Sequence, residues 1–329
     1  MELKNVFITR KIPDIGINTL INKGYSVDIS PKDRPLKKKE LIKYLKKKKY
    51  DAVLTLLTDI IDAEVMDACP TVKIYANYAI GFNNINIEEA KKRYIAVSNT
   101  PGGGADRVSE HTWALILALS CRVVEGDKYM KKRRFRGWDP LLLHGMKLVG
   151  KTLGIIGTGK IGSDVARKGK YGFGMNIIYY DIVRNENIEK SYPDGSNAIF
   201  YNNVEDVLKK ADVVSIHVPL VDSTKHLINA ERLRMMKNTA YLINTSRGPV
   251  VDENALVYAL ENNIIKGAGL DVFEFEPDMA KGLRDLDNVV LTPHIASGTE
   301  EARLDMARIA VENIIHTFEY GKALNPVYN

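Results

Sequence analysis

The sequence predicts an α/β protein of two doubly wound parallel-sheet domains, the second inserted into the first. Three observations carry this expectation. Short β-branched and aromatic runs alternate with amphipathic helical stretches; a glycine-rich turn follows an apolar run at mid-sequence; and a long helical pattern closes the chain. A length of 329 residues with 45% hydrophobic content is enough to fill two cores.

The chain opens at Met1-Glu2-Leu3-Lys4-Asn5-Val6, where charge alternates with apolar residues. That pattern fits a first strand and not a secretory leader, so a cytoplasmic protein is expected. Strands are predicted at Val6-Phe7-Ile8, Tyr25-Ser26-Val27, Ala52 to Thr55, Lys73 to Ala76 and Ile95-Ala96-Val97, with helices at Asp14 to Asn22, Lys37 to Lys48, Ala63 to Ala68 and Ile87 to Lys92 between them. Residues 1–99 and 297–329 are assigned to this flavodoxin-like domain. One apolar helix, Val108 to Met130, is expected to lead into the inserted domain, residues 100–296. Its strands are predicted at Leu153 to Ile156, Met175 to Asp181, Val213 to Ile216, Ala240 to Ile243, Ala268 to Leu270 and Val289 to Leu291. From Thr299 to Tyr320, Ala302, Met306, Ile309, Ala310 and Ile314 keep a helical period, and this helix is expected to pack back on the first domain.

The net charge of +6 is concentrated in Lys37-Lys38-Lys39 and Lys46-Lys47-Lys48-Lys49, which flank Leu41, Ile42 and Leu45. Those apolar residues share one helical face, so the lysines read as its solvated back and not as a nucleic-acid surface. The apolar run from Trp113 to Cys121 is broken at Ser120 and is too short to span a membrane. Cys69 and Cys121 are far apart, without metal or disulfide spacing, and are expected to be buried or half-buried. His111, His144, His217, His226 and His316 also lack ligand spacing, so no metal is expected.

The glycine-rich turn is Gly157-Thr158-Gly159-Lys160-Ile161-Gly162, directly after Leu153-Gly154-Ile155-Ile156. Strand, glycine turn and helix in that order form the fingerprint that seats a dinucleotide pyrophosphate on a helix N-terminus. The inserted domain is therefore read as a Rossmann domain. Asp181 ends the next strand, about 20 residues on, where a carboxylate accepts ribose hydroxyls and repels a 2′-phosphate. NAD is the expected cofactor, with Arg184 close enough to blur the preference.

Charged residues that packing does not explain follow the later strands: Arg247 in Asn244-Thr245-Ser246-Arg247-Gly248, Glu276 in Asp271-Val272-Phe273-Glu274-Phe275-Glu276-Pro277, and His294 in Thr292-Pro293-His294-Ile295-Ala296-Ser297. In an open α/β sheet ligand groups gather beyond the carboxyl ends of strands, so these residues are expected to converge. With the glycine turn and His217-Val218-Pro219-Leu220, these motifs make the sequence resemble the D-isomer-specific 2-hydroxyacid dehydrogenases over essentially its whole length. The segment Asn77 to Ala90, and Gly137-Trp138-Asp139-Pro140, most resemble the glyoxylate and hydroxypyruvate reductases of that family.

The resemblance implies NADH-dependent reduction of a small 2-keto acid. Negative charge grows on the carbonyl oxygen as hydride arrives, so a proton donor and a fixed cation are needed. By resemblance His294 is that donor, Glu276 orients and charges its ring, and Arg247 holds the substrate carboxylate. The N–H groups of Ile80 and Gly81, with Leu57 nearby, are implied as a further carboxylate site. Thr245, Ser246, Arg247, Asp271, His294, Ser297 and His217-Val218-Pro219 are implied as cofactor contacts, and a homodimer as the assembly. The helix after Arg107 and the loop from Trp138 to Leu143 are its candidate contacts, with ordinary core as their alternative.

The chain departs from the family pattern in places. Asn83 and Asn86 stand where aspartates are usual, Gly102-Gly103-Gly104 is unusually glycine-rich, and Arg107 is bulky. The asparagines read as structural drift that alters local hydrogen bonding and keeps the backbone carboxylate site, while a looser hinge or an altered substrate preference is the expected result of the glycines and Arg107. Thr55-Leu56-Leu57-Thr58 lacks a cation for a phosphorylated substrate. D-lactate dehydrogenase is the neighbouring alternative, and an NAD-sensing corepressor-like binding protein the alternative of another class.

Overall fold

The computed structural model describes residues 3–102, 104–190 and 198–328. It divides into two compact units, Met1–Gly104 with Gly298–Asn329, and Ala105–Ser297. The chain stays with the first unit past Ser98 because Thr100 donates its N–H to the Ala79 carbonyl and Asn99 its own to Asn325. Gly102 and Gly104 both adopt positive φ, while Gly103 lies outside the described residues.

The first unit holds strands β1 (Asn5–Ile8), β2 (Ser26–Ile29), β3 (Ala52–Leu56), β4 (Ile74–Tyr78) and β5 (Ala96–Ser98). They form a five-stranded parallel sheet in the order β2-β1-β3-β4-β5, the flavodoxin-like order. Side chains alternate across it. Val6, Ile8, Leu54 and Ile74 face one core with Met306, Ala307, Ala310 and Ile314 of the closing helix Glu300–Tyr320. Phe7, Val53 and Tyr75 face the other with Leu41, Leu45, Val65 and Met66. Thr299 caps the closing helix by accepting the Ala302 N–H.

The second unit holds β6 (Thr152–Ile156), β7 (Asn176–Tyr180), β8 (Ile199–Phe200), β9 (Val213–Ile216), β10 (Tyr241–Asn244), β11 (Gly267–Leu270) and β12 (Val289–Leu291). The seven-stranded sheet runs β12-β11-β10-β9-β6-β7-β8, and its strands are parallel. Strand order reverses between β6 and β9, which is where doubly wound sheets open a ligand crevice. Trp113, Ile116, Val165 and Tyr179 fill one side of the sheet, and Val207, Leu242, Leu256 and Leu270 the other.

The long helix expected from Val108 to Met130 is instead two, Ala105–Ser120 and Val123–Lys131, separated at Arg122, whose φ is 55°. The cause is tertiary: Met146 donates its N–H to the Ser120 carbonyl, occupying the acceptor that a continuing helix would use. Gly145 makes that approach possible, since a β-carbon there would lie 2.0 Å from the Ser120 oxygen. Cys121, at this break, is exposed and not buried or half-buried as expected, whereas Cys69 is buried. Within the loop that follows, Trp138 and Leu141 are 86% and 79% exposed, so they are not core of this unit.

Candidate active site

At the end of β6 the chain turns through Gly157, whose φ of 93° is a left-handed value that side chains disfavour. A β-carbon there would also lie 2.7 Å from the His217 carbonyl oxygen at the end of β9. Gly162 is equally constrained, its β-carbon position falling 2.0 Å from the Gly157 oxygen. Gly159 is different: a β-carbon there would enter open space. Gly159 starts the helix Lys160–Phe173, and the N–H groups of Gly159, Lys160 and Ile161 donate to no other described residue. Unpaired donors around an open concavity fit a pyrophosphate.

Asp181, just past β7, accepts from the Thr158 N–H at 2.6 Å and the Thr158 hydroxyl at 2.9 Å through Oδ2, and from the Ile182 N–H at 2.7 Å through Oδ1. An ionised carboxylate has roughly four acceptor positions, so Oδ1 keeps capacity for a ribose hydroxyl. Arg184 is held by Glu189 through Nε at 2.9 Å and Nη2 at 2.8 Å. On the other side of the crevice, burial pushes the His217 imidazole down to about 3, so it is neutral and shares a 2.8 Å hydrogen bond with Ser215. Val218 is half-buried and Pro219 exposed.

Arg247, Glu276 and His294 come from the loops after β10, β11 and β12, adjacent parallel strands whose carboxyl ends share one edge. His294 Nδ1 lies 3.0 Å from Glu276 Oε2 and 3.2 Å from Oε1. Oε1 also accepts the Phe273 N–H at 3.0 Å, which fixes the carboxylate. Burial alone would raise the Glu276 pKa, but the His294 hydrogen bond and charge, the Phe273 N–H and the Arg247 charge outweigh it and bring it below the ordinary value. Burial lowers the Arg247 pKa from its ordinary value against the opposing charge of Glu276. The guanidinium still remains cationic. Buried Asn244 knits the Arg247 turn, accepting from the Ser246 N–H and hydroxyl and donating to the Arg247 carbonyl.

His294 itself has a φ of 54°, unusual for a side-chain-bearing residue, and needs reinforcement from its surroundings. Asp271 provides it. Its carbonyl accepts the His294 N–H at 2.9 Å, and its fully buried carboxylate accepts from Thr292 Oγ1 and from the Ile295 and Ala296 N–H groups. Burial raises its pKa, but His111, Thr292 and these N–H groups bring it below the ordinary value overall. His111, on helix Ala105–Ser120, bonds Thr292 Oγ1 at 3.0 Å and lies 3.4 Å from Asp271. Its neighbour Thr112 bonds Thr245 Oγ1 at 2.8 Å, while Ser297 is half-buried at the end of the loop. Local sequence pattern carries no signal for these roles of His111, Thr112 and Thr292, since their pairing joins segments remote in the chain.

In the first unit, Leu57 follows β3 and Ile80-Gly81 follow β4, the strand beside it. The carbonyls of Ala79 and Ile80 accept from the Thr100 N–H at 2.9 Å and the Asn99 side-chain amide at 2.6 Å. A trans peptide points its N–H opposite to its carbonyl, so the Ile80 and Gly81 N–H groups face away from these partners. They donate to no other described residue. Among the described residues no group of histidine, cysteine or acidic side chains could hold a metal, and no helix is long and apolar enough to cross a membrane.

A parallel sheet with a glycine-cradled helix N-terminus, and a histidine–carboxylate pair beside a half-buried arginine, fits a nucleotide-binding α/β protein. Residues 113–296 match the D-isomer specific 2-hydroxyacid dehydrogenase, NAD binding domain, and the chain belongs to that family. It is 48% identical over 317 residues to a glyoxylate reductase of Thermofilum pendens, covering 96% of this chain and 91% of the relative. Among solved structures, a Thermus thermophilus protein superposes with a TM-score of 0.89 at 39% identity, covering 98% of this chain and 99% of that one. An NADPH-dependent glyoxylate/hydroxypyruvate reductase of Sinorhizobium meliloti, in complex with NADP and malonate, gives 0.86 at 28% identity, covering 99% and 97%.

Proposed function

We propose that this chain is an NADH-dependent reductase of a small 2-keto acid, glyoxylate or hydroxypyruvate, giving the corresponding D-2-hydroxy acid. The observation that carries the reading is the 3.0 Å contact between His294 Nδ1 and Glu276, in the field of the Arg247 charge. With Nδ1 engaged, Nε2 is the nitrogen that gives its proton to the carbonyl oxygen in reduction and takes it back in oxidation. Glu276, its pKa held below the ordinary carboxylate value, accepts at Nδ1 and orients the ring. Arg247 offers a planar fork for the substrate carboxylate and polarises the carbonyl. In the first unit, the Ile80 and Gly81 N–H groups, which donate to no other described residue, are read as substrate-carboxylate donors. The nicotinamide, when bound, supplies the hydride.

NADH is preferred over NADPH on charge grounds. The Asp181 carboxylate is held in place by Thr158, and Arg184 is already committed to Glu189, so a 2′-phosphate meets repulsion without a free cation from that residue. A cytoplasmic location and a homodimer belong to the same reading, the homodimer alone drawing support from the exposed Trp138 and Leu141. The glyoxylate reductase name of the Thermofilum relative supports the substrate class. The test is a panel of 2-keto acids assayed with NADH and NADPH. Fastest turnover of glyoxylate or hydroxypyruvate with NADH is expected. Preference for pyruvate points to a lactate dehydrogenase, and absence of turnover on every acid overturns the enzyme reading.

A further inference from the structure

We propose that Asn84 is a positioning residue for the substrate carboxylate, clamping the loop that carries Leu57 to the loop that carries Ile80 and Gly81. The proposal rests on the reading above that these loops receive that carboxylate. Asn84 Nδ2 donates to the carbonyls of Leu56 at 3.1 Å and Asp59 at 3.0 Å, which bracket Leu57. Its amide also pairs face to face with that of fully buried Asn77, at 3.1 Å and 3.2 Å, one of the two Nδ2 hydrogens being shared between two acceptors. Asn77 Nδ2 donates to the Gly81 carbonyl at 2.9 Å, and Asn77 Oδ1 accepts the Thr55 hydroxyl at 3.0 Å. One side-chain pair therefore ties the end of β3, the turn after it and the loop after β4.

The main chain supports the same bond. Ile61 donates to the Asn84 carbonyl at 2.8 Å, and Asn86 donates to the Ile61 carbonyl at 2.8 Å. Asp59 in turn accepts from Thr9 Oγ1 at 2.5 Å and the Leu56 N–H at 2.8 Å, anchoring the turn to the sheet. The backbone contacts keep the loops near each other, while the Asn84 amide sets their spacing. Two N–H groups grip a carboxylate well only when held in place beforehand, so the clamp acts on ground-state binding and leaves the proton-transfer groups untouched.

Asn84→Asp keeps the shape of the side chain but removes both donors. Asn84→Ala removes the amide without adding charge, and Asn84→Ser retains one donor. For the first two, the KM for glyoxylate is expected to rise about tenfold, with kcat within about threefold and the NADH Kd within about twofold of the parent; the serine variant falls between. Hydrogen–deuterium exchange in residues 57–61 and 79–85 is expected to speed up in cooperatively melting protein. Unchanged KM, or a loss confined to kcat, overturns the proposal. Should the parent turn over no 2-keto acid, the assigned reaction falls on its own. Exchange then decides the clamp: faster in the variants keeps it, and unchanged removes it.

Discussion

Gly248 lies so close to Phe273 that a β-carbon on the glycine would sit 1.9 Å from the carbonyl carbon and oxygen of the phenylalanine. Arg247 precedes the glycine, and the loop from Phe273 to Glu276 carries the carboxylate that holds His294. The contact is what brings the guanidinium and the carboxylate into one electrostatic neighbourhood. Gly248→Ala is expected to separate the loops, lowering kcat/KM by at least about tenfold and the melting temperature by several degrees. Parent-like activity with unchanged melting would show that the loops yield without consequence.

His294→Ala is expected to lower kcat by about 10² to 10⁴ with little change in NADH affinity, measured by steady-state kinetics and fluorescence titration. Glu276→Gln gives a subtler test. The neutral amide no longer holds the ring as a charged acceptor at Nδ1, so kcat is expected to fall by about tenfold or more with KM for the keto acid little changed. Parent-like kcat would remove Glu276 from the proton-transfer unit.

Arg247→Lys retains the charge and loses the fork, so KM for the keto acid should rise and kcat should fall with it. Kinetics unchanged in both parameters would count against carboxylate binding at this position.

Asp181→Ser is expected to raise the ratio of NADPH to NADH efficiency by about tenfold or more. Because Asp181 also receives Thr158, the variant loosens the glycine turn and should lose some NADH affinity as well. A fixed ratio would undo the nucleotide preference.

Asp271 gives a pH-dependent stability. Its pKa is lower in the folded protein than in an open chain, so it stabilises the fold above the unfolded value near pH 4, and that contribution is lost as pH falls through the folded value. The melting-temperature gap between the parent and Asp271→Asn should be widest near pH 7 and narrow on acidification. A gap independent of pH would assign Asp271 a purely steric part.

Much of this was legible in the sequence because it depends on local pattern. The β-branched runs at Val6, Ala52, Leu153 and Val213 became strands, and Asp14–Asn22 and Ile87–Lys92 became helices, since burial on a parallel sheet demands those apolar spacings. The glycine turn was legible for a steric reason, each glycine having an atom or an opening opposite it. What escaped depends on partners remote in the chain. The break at Arg122 follows from the return of Gly145 and Met146, strand β8 comprises only Ile199–Phe200, and the bonds of His111 and Asn84 exist only once distant loops meet.

The order of strands in the larger sheet has an evolutionary corollary. On the proposed reading, nucleotide selection falls to the turns after β6 and β7, and proton handling and the guanidinium to the loops after β10, β11 and β12, across the reversal from them. The two duties are then modular. Retuning the turn at Asp181 can change which coenzyme is drawn from the pool without disturbing the histidine and its carboxylate, so redox currency and substrate chemistry are free to diverge separately.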